Sequence, residues 1–345
     1  MELREHQKLA INMARQSIKA GKKRPILACP TSFGKTVTAG AMLKTCQDRG
    51  RRGWFFADRI QLVEQAIDKF TQMGLDFGVH QSNHELTRPH APIQIASIQT
   101  IAASAGKHGR NLPIFDMAIV DECHQKYDII SKIIETYNNL PIIGLTATPY
   151  SKGLGKMYND LIVPITPREL LDKGWLTPVR YFGGEHVDLS KVRSVNPNTY
   201  SAQDLESATD KDADRLAGCI IRNWMEYGEN SQTIAFSPTQ NLSKALVERF
   251  NNNGISAEHI DCNFSQEQRQ ELYEAHDAGE FRVLSCSRLL NTGYDAPSVR
   301  CIVDCFPVKS VSTYVQRVGR LQRIHRPLDA AYKKYLDLKA RKAVE

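Results

Sequence analysis

The segment Cys29-Pro30-Thr31-Ser32-Phe33-Gly34-Lys35-Thr36 constrains this chain more than any other. Before it, Pro25 to Cys29 is a short apolar run that reads as a buried strand. After it, Lys35 to Cys46 carries helical spacing. A strand, a tight loop and a helix in that order aim backbone N–H groups at one point, where an anion is favoured. The segment fits Gly-x-x-x-x-Gly-Lys-Thr, with Cys29 in place of the first glycine. In such a loop Lys35 would neutralise the β- and γ-phosphates of a nucleotide, and Thr36 would offer its hydroxyl to Mg²⁺. Standing alone, the same residues also suit a chance turn. On an exposed loop, Lys35 is expected to contribute little to the core.

The pattern then repeats. Leu9 to Ala20 reads as a helix, and Leu62, Ala66, Ile67, Phe70 and Met73 recur at helical spacing. Trp54 to Ala57, Ile93 to Ala96, Met117 to Val120 and Ile142 to Leu145 read as strands. Strands separated by helices predict a parallel sheet with helices on both faces. Residues 150–212 are rich in Gly and Pro and read as a connector with short elements. Strands at Thr233 to Phe236, Ala257 to Ile260, Val283 to Ser285 and Cys301 to Val303 follow. They alternate with helices at Leu242 to Phe250 and Gln266 to Ala278, and another helix begins at Val311. The expected organisation is an α/β domain over 1–150, a connector over 151–212 and a second α/β domain over 213–345. A length of 345 residues suits two domains.

Hydrophobic residues make up 41% and charged residues 24%, which excludes a disordered or collagen-like chain. The N-terminus has no apolar stretch of signal-peptide type. No apolar run approaches the ~20 residues of a membrane-spanning helix, so no membrane partner is expected. Eight cysteines without a Cys-x-x-Cys pair, in a chain without a signal peptide, are expected to be reduced, in an intracellular protein. Cys301 and Cys305 read as small buried residues rather than half a metal site.

Charge is uneven along the chain. Residues 1–150 carry 19 basic and 13 acidic groups, a net of +6. Residues 151–305 have a net of −6, and residues 306–345 a net of +7. Two basic ends around an acidic middle suit a localised polyanion surface, or equally a solvated face with a basic tail.

Met117-Ala118-Ile119-Val120 ends in Asp121-Glu122-Cys123-His124. Acids at the C-terminal end of a parallel strand lie where α/β sheets hold ligands. Asp121 could hold the Mg²⁺ hydration shell, and Glu122 could orient and deprotonate an attacking water. Together with the phosphate loop, the pair points to nucleoside triphosphate hydrolysis. Arg320 and Arg323 are three apart and would share a helix face, as arginine fingers or as plain surface charge.

In their order these segments resemble a superfamily 2 helicase of the DExH type, over nearly the whole chain. Within that superfamily the similarity is greatest to prokaryotic and phage DNA-repair-type helicases. The resemblance implies two tandem RecA-like α/β domains, with ATP in the cleft between them. Leu3-Arg4-Glu5-His6-Gln7 is similar to the adenine-reading segment, which implies Arg4 and Gln7 as ATP contacts beside Pro30, Thr31, Ser32, Phe33, Gly34, Lys35 and Thr36. Ala57-Asp58-Arg59 and Ser97-Ile98-Gln99-Thr100 resemble nucleic-acid-contacting motifs, implying Arg59, Gln99 and Thr100. Thr146-Ala147-Thr148 resembles motif III, and with His124 and Gln316 it implies coupling between ATP and polymer.

In the second domain Ala235-Phe236-Ser237 resembles motif IV, implying a polymer contact at Ser237. Asn291-Thr292-Gly293-Tyr294-Asp295-Ala296-Pro297 resembles motif V, implying Thr292 for the polymer and Gly293 and Asp295 for ATP. Gln316-Arg317-Val318-Gly319-Arg320-Leu321-Gln322-Arg323 resembles motif VI. The expected activity is therefore an ATP- and Mg²⁺-dependent helicase or translocase, with DNA favoured over RNA. An RNA helicase and an ATP-gated binding module are the alternatives. The chain ends soon after motif VI, so target choice is expected to come from a protein partner or a longer protein. The sequence shows no aromatic stripe for stacking bases.

Overall fold

The computed structural model describes residues 2–81, 84–105, 112–184, 188–196, 199–287, 298–305 and 308–323, and the statements below concern these. The chain divides into two compact units, Met1–Leu170 and Leu171–Glu345.

In the first unit the strands are β1 (Pro25–Ala28), β2 (Gly53–Ala57), β3 (Phe77–His80), β4 (Ile93–Ser97), β5 (Met117–Val120), β6 (Ile142–Thr146) and β7 (Asp160–Ile162). The helices are α1 (Glu5–Lys19), α2 (Lys35–Gln47), α3 (Ile60–Gln72), α4 (Ile98–Ala105), α5 (Asp128–Thr136) and α6 (Leu154–Met157). A further helix, α7 (Pro167–Asp172), spans the division between the units. The sheet order is β3-β4-β2-β5-β6-β1-β7, and every pairing is parallel.

Alternate residues of each strand serve opposite faces. Ile26, Phe56, Ala96, Ala118, Val120 and Ile142 share one cluster with α4 and α5, through Ile98, Ile101, Ile130, Ile133 and Ile134. The other face receives α1, α2 and α3: the Phe55 ring meets Phe70 of α3 edge-on at 5.5 Å between centroids. Helices on both faces explain why these strands read as continuous apolar runs.

Residues 151–170 belong with the first unit rather than with a separate connector. Asp160, Leu161 and Ile162 pair in parallel with Pro25, Ile26 and Leu27, extending the sheet by one short strand. Ser17 Oγ donates to Asp160 Oδ2 at 2.6 Å and ties that strand to α1. Gly144 of β6 leaves no room for a side chain, because a Cβ would lie 2.6 Å from Cys123 Sγ and 2.9 Å from Tyr158 Cε1. Gly144→Ala is expected to cost about 1–3 kcal/mol by overpacking. A lowered urea midpoint with unchanged slope is the result to look for; an unchanged midpoint would show that both neighbours yield freely.

In the second unit the strands are β8 (Ser194–Asn196), β9 (Thr199–Tyr200), β10 (Thr233–Ser237), β11 (Ala257–Ile260), β12 (Val283–Ser287) and β13 (Cys301–Asp304). The helices are α8 (Ala202–Asp210), α9 (Ala213–Tyr227), α10 (Gln240–Asn252), α11 (Gln266–Ala278) and α12 (Val311–Leu321). The main sheet runs β11-β12-β10-β13, all parallel, while β8 and β9 form an antiparallel pair. Ala235, Ala257 and Val283 pack on α9 and α10, and Ile234, Phe236, Ile260 and Leu284 pack on the opposite face with α11. Each unit is thus a parallel α/β sandwich.

Candidate nucleotide site and nucleic-acid interface

The loop after β1 is shaped by three local choices. Cys29 is fully buried and donates its backbone N–H to Thr146 O at 2.8 Å, so the position taken by glycine in the general motif points inward here. Burial pushes the Cys29 thiol well above its ordinary range and leaves it an inert filler. Ser32 and Gly34 adopt left-handed backbone, with φ of 63° and 89°. At Gly34 a side chain is excluded twice over, by φ and by the Gln7 amide lying against it. The buried Ser32 Oγ has no hydrogen-bond partner among the described residues.

Gln7 and His6 brace this loop from α1. Gln7 Nε2 donates to Phe33 O at 3.1 Å and to Gly34 O at 3.4 Å, while Gln7 Oε1 accepts from Arg4 N at 2.9 Å. His6 Nε2 lies 3.2 Å from Phe33 O, and its ring packs 4.8 Å from that of Phe33. Gln7 is 3% exposed, so its amide holds the loop rather than standing open to a base. His6 was not singled out by sequence; its place beside Gln7 is the signal that could have found it.

Lys35 is the first residue of α2 and not part of an exposed loop. Its side chain is 17% exposed; its ammonium pairs closely with Glu122 Oε1 and lies 3.9 Å from Asp121 Oδ1. The expectation that Lys35 matters little to the core is therefore wrong. Burial works against the Lys35 charge, but Glu122 and Asp121 outweigh it and hold the ammonium above its ordinary range. Burial raises Asp121, opposed by Lys35. Glu122 is held below the usual carboxylate range, because Lys35 and the His124 contact overcome its burial.

Glu122 itself sits at φ 45°, a left-handed conformation that costs a non-glycine residue roughly 1–2 kcal/mol. Two bonds hold it there. Asp121 Oδ1 accepts from Glu122 N at 3.0 Å, and Glu122 O accepts from Gln125 N at 2.9 Å. Strain of this kind concentrates at functional sites. His124 Nδ1 stands 3.2 Å from Glu122 Oε2 and 2.9 Å from Thr146 Oγ1. Thr146 Oγ1 also accepts from Thr148 N at 3.0 Å. One continuous polar line thus joins Lys35, Glu122, His124, Thr146 and Thr148.

Beside this lies a second constellation. Asp58 Oδ1 accepts from Gln99 Nε2 at 2.7 Å, Asp58 Oδ2 lies 3.7 Å from Arg59 Nε, and Ser97 Oγ donates to Gln99 Oε1 at 2.8 Å. Arg59 and Gln99 are exposed, and Thr100 is half-buried on α4.

In the second unit Ser237 ends β10 with a buried Oγ that has no partner among the described residues. Gln316 and Arg320 lie on α12, but the helix stops at Leu321, so Arg323 follows its end instead of sharing its face. Arg320 is 6% exposed and Arg323 half-buried, which excludes plain surface charge. Arg317, missed by the sequence reading, is 2% exposed; its Nη1 donates to Asp304 Oδ1 at 2.5 Å and its guanidinium lies 4.6 Å from the centroid of Phe236. Thr292, Gly293 and Asp295 lie outside the described residues. No helix among the described residues is long and apolar enough to cross a membrane.

The comparisons with known proteins agree with this layout. Residues 1–151 match the family model "Type III restriction enzyme, res subunit", and residues 214–325 match "Helicase conserved C-terminal domain". A "51.5 kDa protein" of a Lactococcus phage is 25% identical over 305 residues, covering 86% of this chain and 62% of its own. The "Type I restriction enzyme EcoAI endonuclease subunit" of Escherichia coli is 24% identical, covering 97% of this chain and 46% of its own. The chain thus spans only about half to three-fifths of the length of these relatives. In fold, the helicase domain of Pyrococcus furiosus Hef superposes with a TM-score of 0.57 at 16% identity, covering 93% of both chains. With the restriction-enzyme res-subunit model over residues 1–151 and the helicase C-terminal model over residues 214–325, the chain belongs to the superfamily 2 helicases.

Proposed function

We propose that this chain is an ATP-driven motor that translocates on or unwinds nucleic acid, with DNA as its polymer. The observation that carries the reading is the buried line from Lys35 through Glu122 to His124 and Thr146, beginning at the end of a loop whose Ser32 hydroxyl has no partner among the described residues. A triphosphate fits that loop: backbone N–H groups and the Ser32 hydroxyl meet phosphate oxygens at the start of α2. Thr36 and Asp121 offer the hard oxygen donors that suit Mg²⁺, which would neutralise phosphate charge when bound. Lys35 would turn from Glu122 to the phosphates, leaving Glu122 free to take a proton from water. Arg4 and Gln7 belong to the nucleotide contacts, Gln7 acting through the loop it braces. Gly293 and Asp295 are proposed ATP contacts, and Arg320 and Arg323 are proposed to meet charge on the transferred phosphoryl group.

Arg59, Gln99, Thr100, Ser237 and Thr292 are proposed to hold the polymer by its phosphates and sugars, which positions a strand without reading sequence. His124, Thr146, Thr148 and Gln316 are proposed to couple the two ligands. The restriction-enzyme family model and the E. coli relative favour DNA. A protein partner, or further chain, would then supply target choice.

The test is ATP turnover with and without single-stranded DNA or RNA, followed by strand displacement on forked, four-way and RNA duplexes. DNA is expected to stimulate turnover more than RNA; the reverse order would assign an RNA helicase, and no stimulation by either would overturn the reading. Binding should weaken with salt, with a slope of roughly −0.7 per phosphate contact on a single strand. Arg59→Ala should flatten that slope by about one contact and weaken all sequences alike. An unchanged slope would remove Arg59 from the interface.

A further inference from the structure

Resting on the proposed function above, we infer that Asp210 is a built-in competitor of the polymer, its carboxylate occupying at the start of α10 the place of a strand phosphate. Asp210 is the last residue of α8, and its carboxylate lies against the N-terminal end of α10. Thr239 Oγ1 donates to Asp210 Oδ1 at 2.7 Å, and Asn241 Nδ2 donates to Asp210 Oδ2 at 2.6 Å. Thr239 is also the cap of α10, its hydroxyl accepting from Leu242 N at 3.1 Å. The first N–H groups of a helix have no partner within it and favour an anion. For α8 the same carboxylate is misplaced, since a negative charge at a helix's C-terminal end opposes the dipole. The position of Asp210 is therefore explained by α10 and not by α8.

A second observation points to a ligand at the same end of the sheet. Ser237 closes β10 two residues before the cap and shares the face of Ala235, which packs with α9 and α10. Its hydroxyl thus lies on the α10 side, at the C-terminal end of a parallel strand, where open α/β sheets hold ligands. Ser237 is 1% exposed, and its Oγ has no partner among the described residues. A buried hydroxyl without a partner is costly, and a bound acceptor removes that cost. A phosphodiester carries the same single charge as the Asp210 carboxylate and accepts from the same two donors, while its remaining oxygens suit the Ser237 hydroxyl. Asn241 is exposed and Asp210 only half-buried, so the exchange is open to solvent. Asp210 holds the donors in the free protein and yields them to the strand, two states of one site that a ligand biases by its differential affinity.

The experiment is Asp210→Ala, with the affinity for a labelled single-stranded DNA oligonucleotide measured by equilibrium titration. Binding should tighten by about three- to tenfold, the gain expected when a site free in roughly a tenth to a third of molecules becomes free in all. Asp210→Asn keeps the side chain's size and an oxygen for Thr239 but loses the charge and the Asn241 bond, so it should shift affinity in the same direction. It also tests the inference if Asp210→Ala does not fold. Asp212→Ala is the control for charge alone, because it removes an exposed acid two residues away that caps nothing by hydrogen bond. Its affinity should change by less than about twofold, as expected for an exposed charge screened by salt. A merely structural role for Asp210 predicts weaker or unchanged binding in both of its variants, and that result overturns the inference. An equal gain in Asp212→Ala overturns it too, because it would show general repulsion in place of competition at one site. ATP affinity is measured in parallel; tightening of ATP with the oligonucleotide unmoved would assign the donors to a nucleotide phosphate and overturn competition with the strand. Wild-type protein that binds neither DNA nor RNA overturns the proposed function and the competitor with it, whereas normal wild-type binding with unmoved Asp210 variants overturns the competitor alone.

Discussion

Glu122→Gln is expected to bind ATP and fail to turn it over, with the rate falling by about 10²–10⁴, the usual contribution of a positioned general base. The substitution keeps the shape of the side chain and an oxygen that can still accept from Lys35, so the phosphate loop should persist. What it removes is the ability to take a proton from water. In the ligand-free protein Lys35 and His124 outweigh burial and hold the wild-type carboxyl below the usual carboxylate range. The left-handed backbone at Glu122 fixes where that carboxylate points, and the amide variant inherits the same direction. Nucleotide affinity by equilibrium titration and phosphate release by a continuous assay separate the two effects. A variant that hydrolyses ATP at the wild-type rate would show that Glu122 is only the counter-ion of Lys35.

Much of the scaffold of this site was legible in the sequence. Strands covered by helices on both faces must be apolar throughout, so β1, β2, β4, β5 and β6 announced themselves as short apolar runs. The phosphate loop and the acids after β5 were then placed by the ends of those runs. Where that logic lapses, the reading fails. The edge strand β3, Phe77-Gly78-Val79-His80, has only two large apolar residues and no run to notice. The three-residue β7 hides in a stretch rich in Gly and Pro. Side-chain direction was less legible still. Nothing in the spacing of Lys35, Asp121 and Glu122 shows that the acids close over the amine. Nor does the segment around Gln7 show that its amide turns under the loop. Arg317 reads as one more basic residue in motif VI, yet it is almost fully buried on Phe236 and Asp304. Asp58 and Gln99 come together because β2 and β4, which they follow, are neighbours in the sheet.

Lys35→Ala should abolish ATP hydrolysis and, unlike the change of a solvent-exposed lysine, should also destabilise the ligand-free protein. Removing one partner of a buried ion pair leaves the other charge without compensation, at about 3–5 kcal/mol. Here two carboxylates are left, with side chains only 5% and 13% exposed. The effect has a definite pH dependence. In the wild type, Glu122 is lowered below its unfolded value. It therefore contributes stability above that value, and the contribution is lost as pH falls toward the folded pKa. In the variant, burial without the Lys35 cation raises Glu122 above its unfolded value and pushes Asp121, already raised by burial in the wild type, further up. That destabilises the fold at neutral pH and relaxes as they protonate. The gap between wild type and variant is thus expected to be widest near pH 7 and to narrow toward pH 4 to 5. Lys35→Met with Glu122→Gln should recover part of the loss at neutral pH, since it removes one stranded charge together with its partner. Urea unfolding at several pH values measures the gap, and nucleotide hydrolysis is followed in parallel. A gap that stays constant with pH, or a Lys35→Ala variant as stable as wild type at pH 7, would mean that water rather than Lys35 screens Asp121 and Glu122 in the free protein.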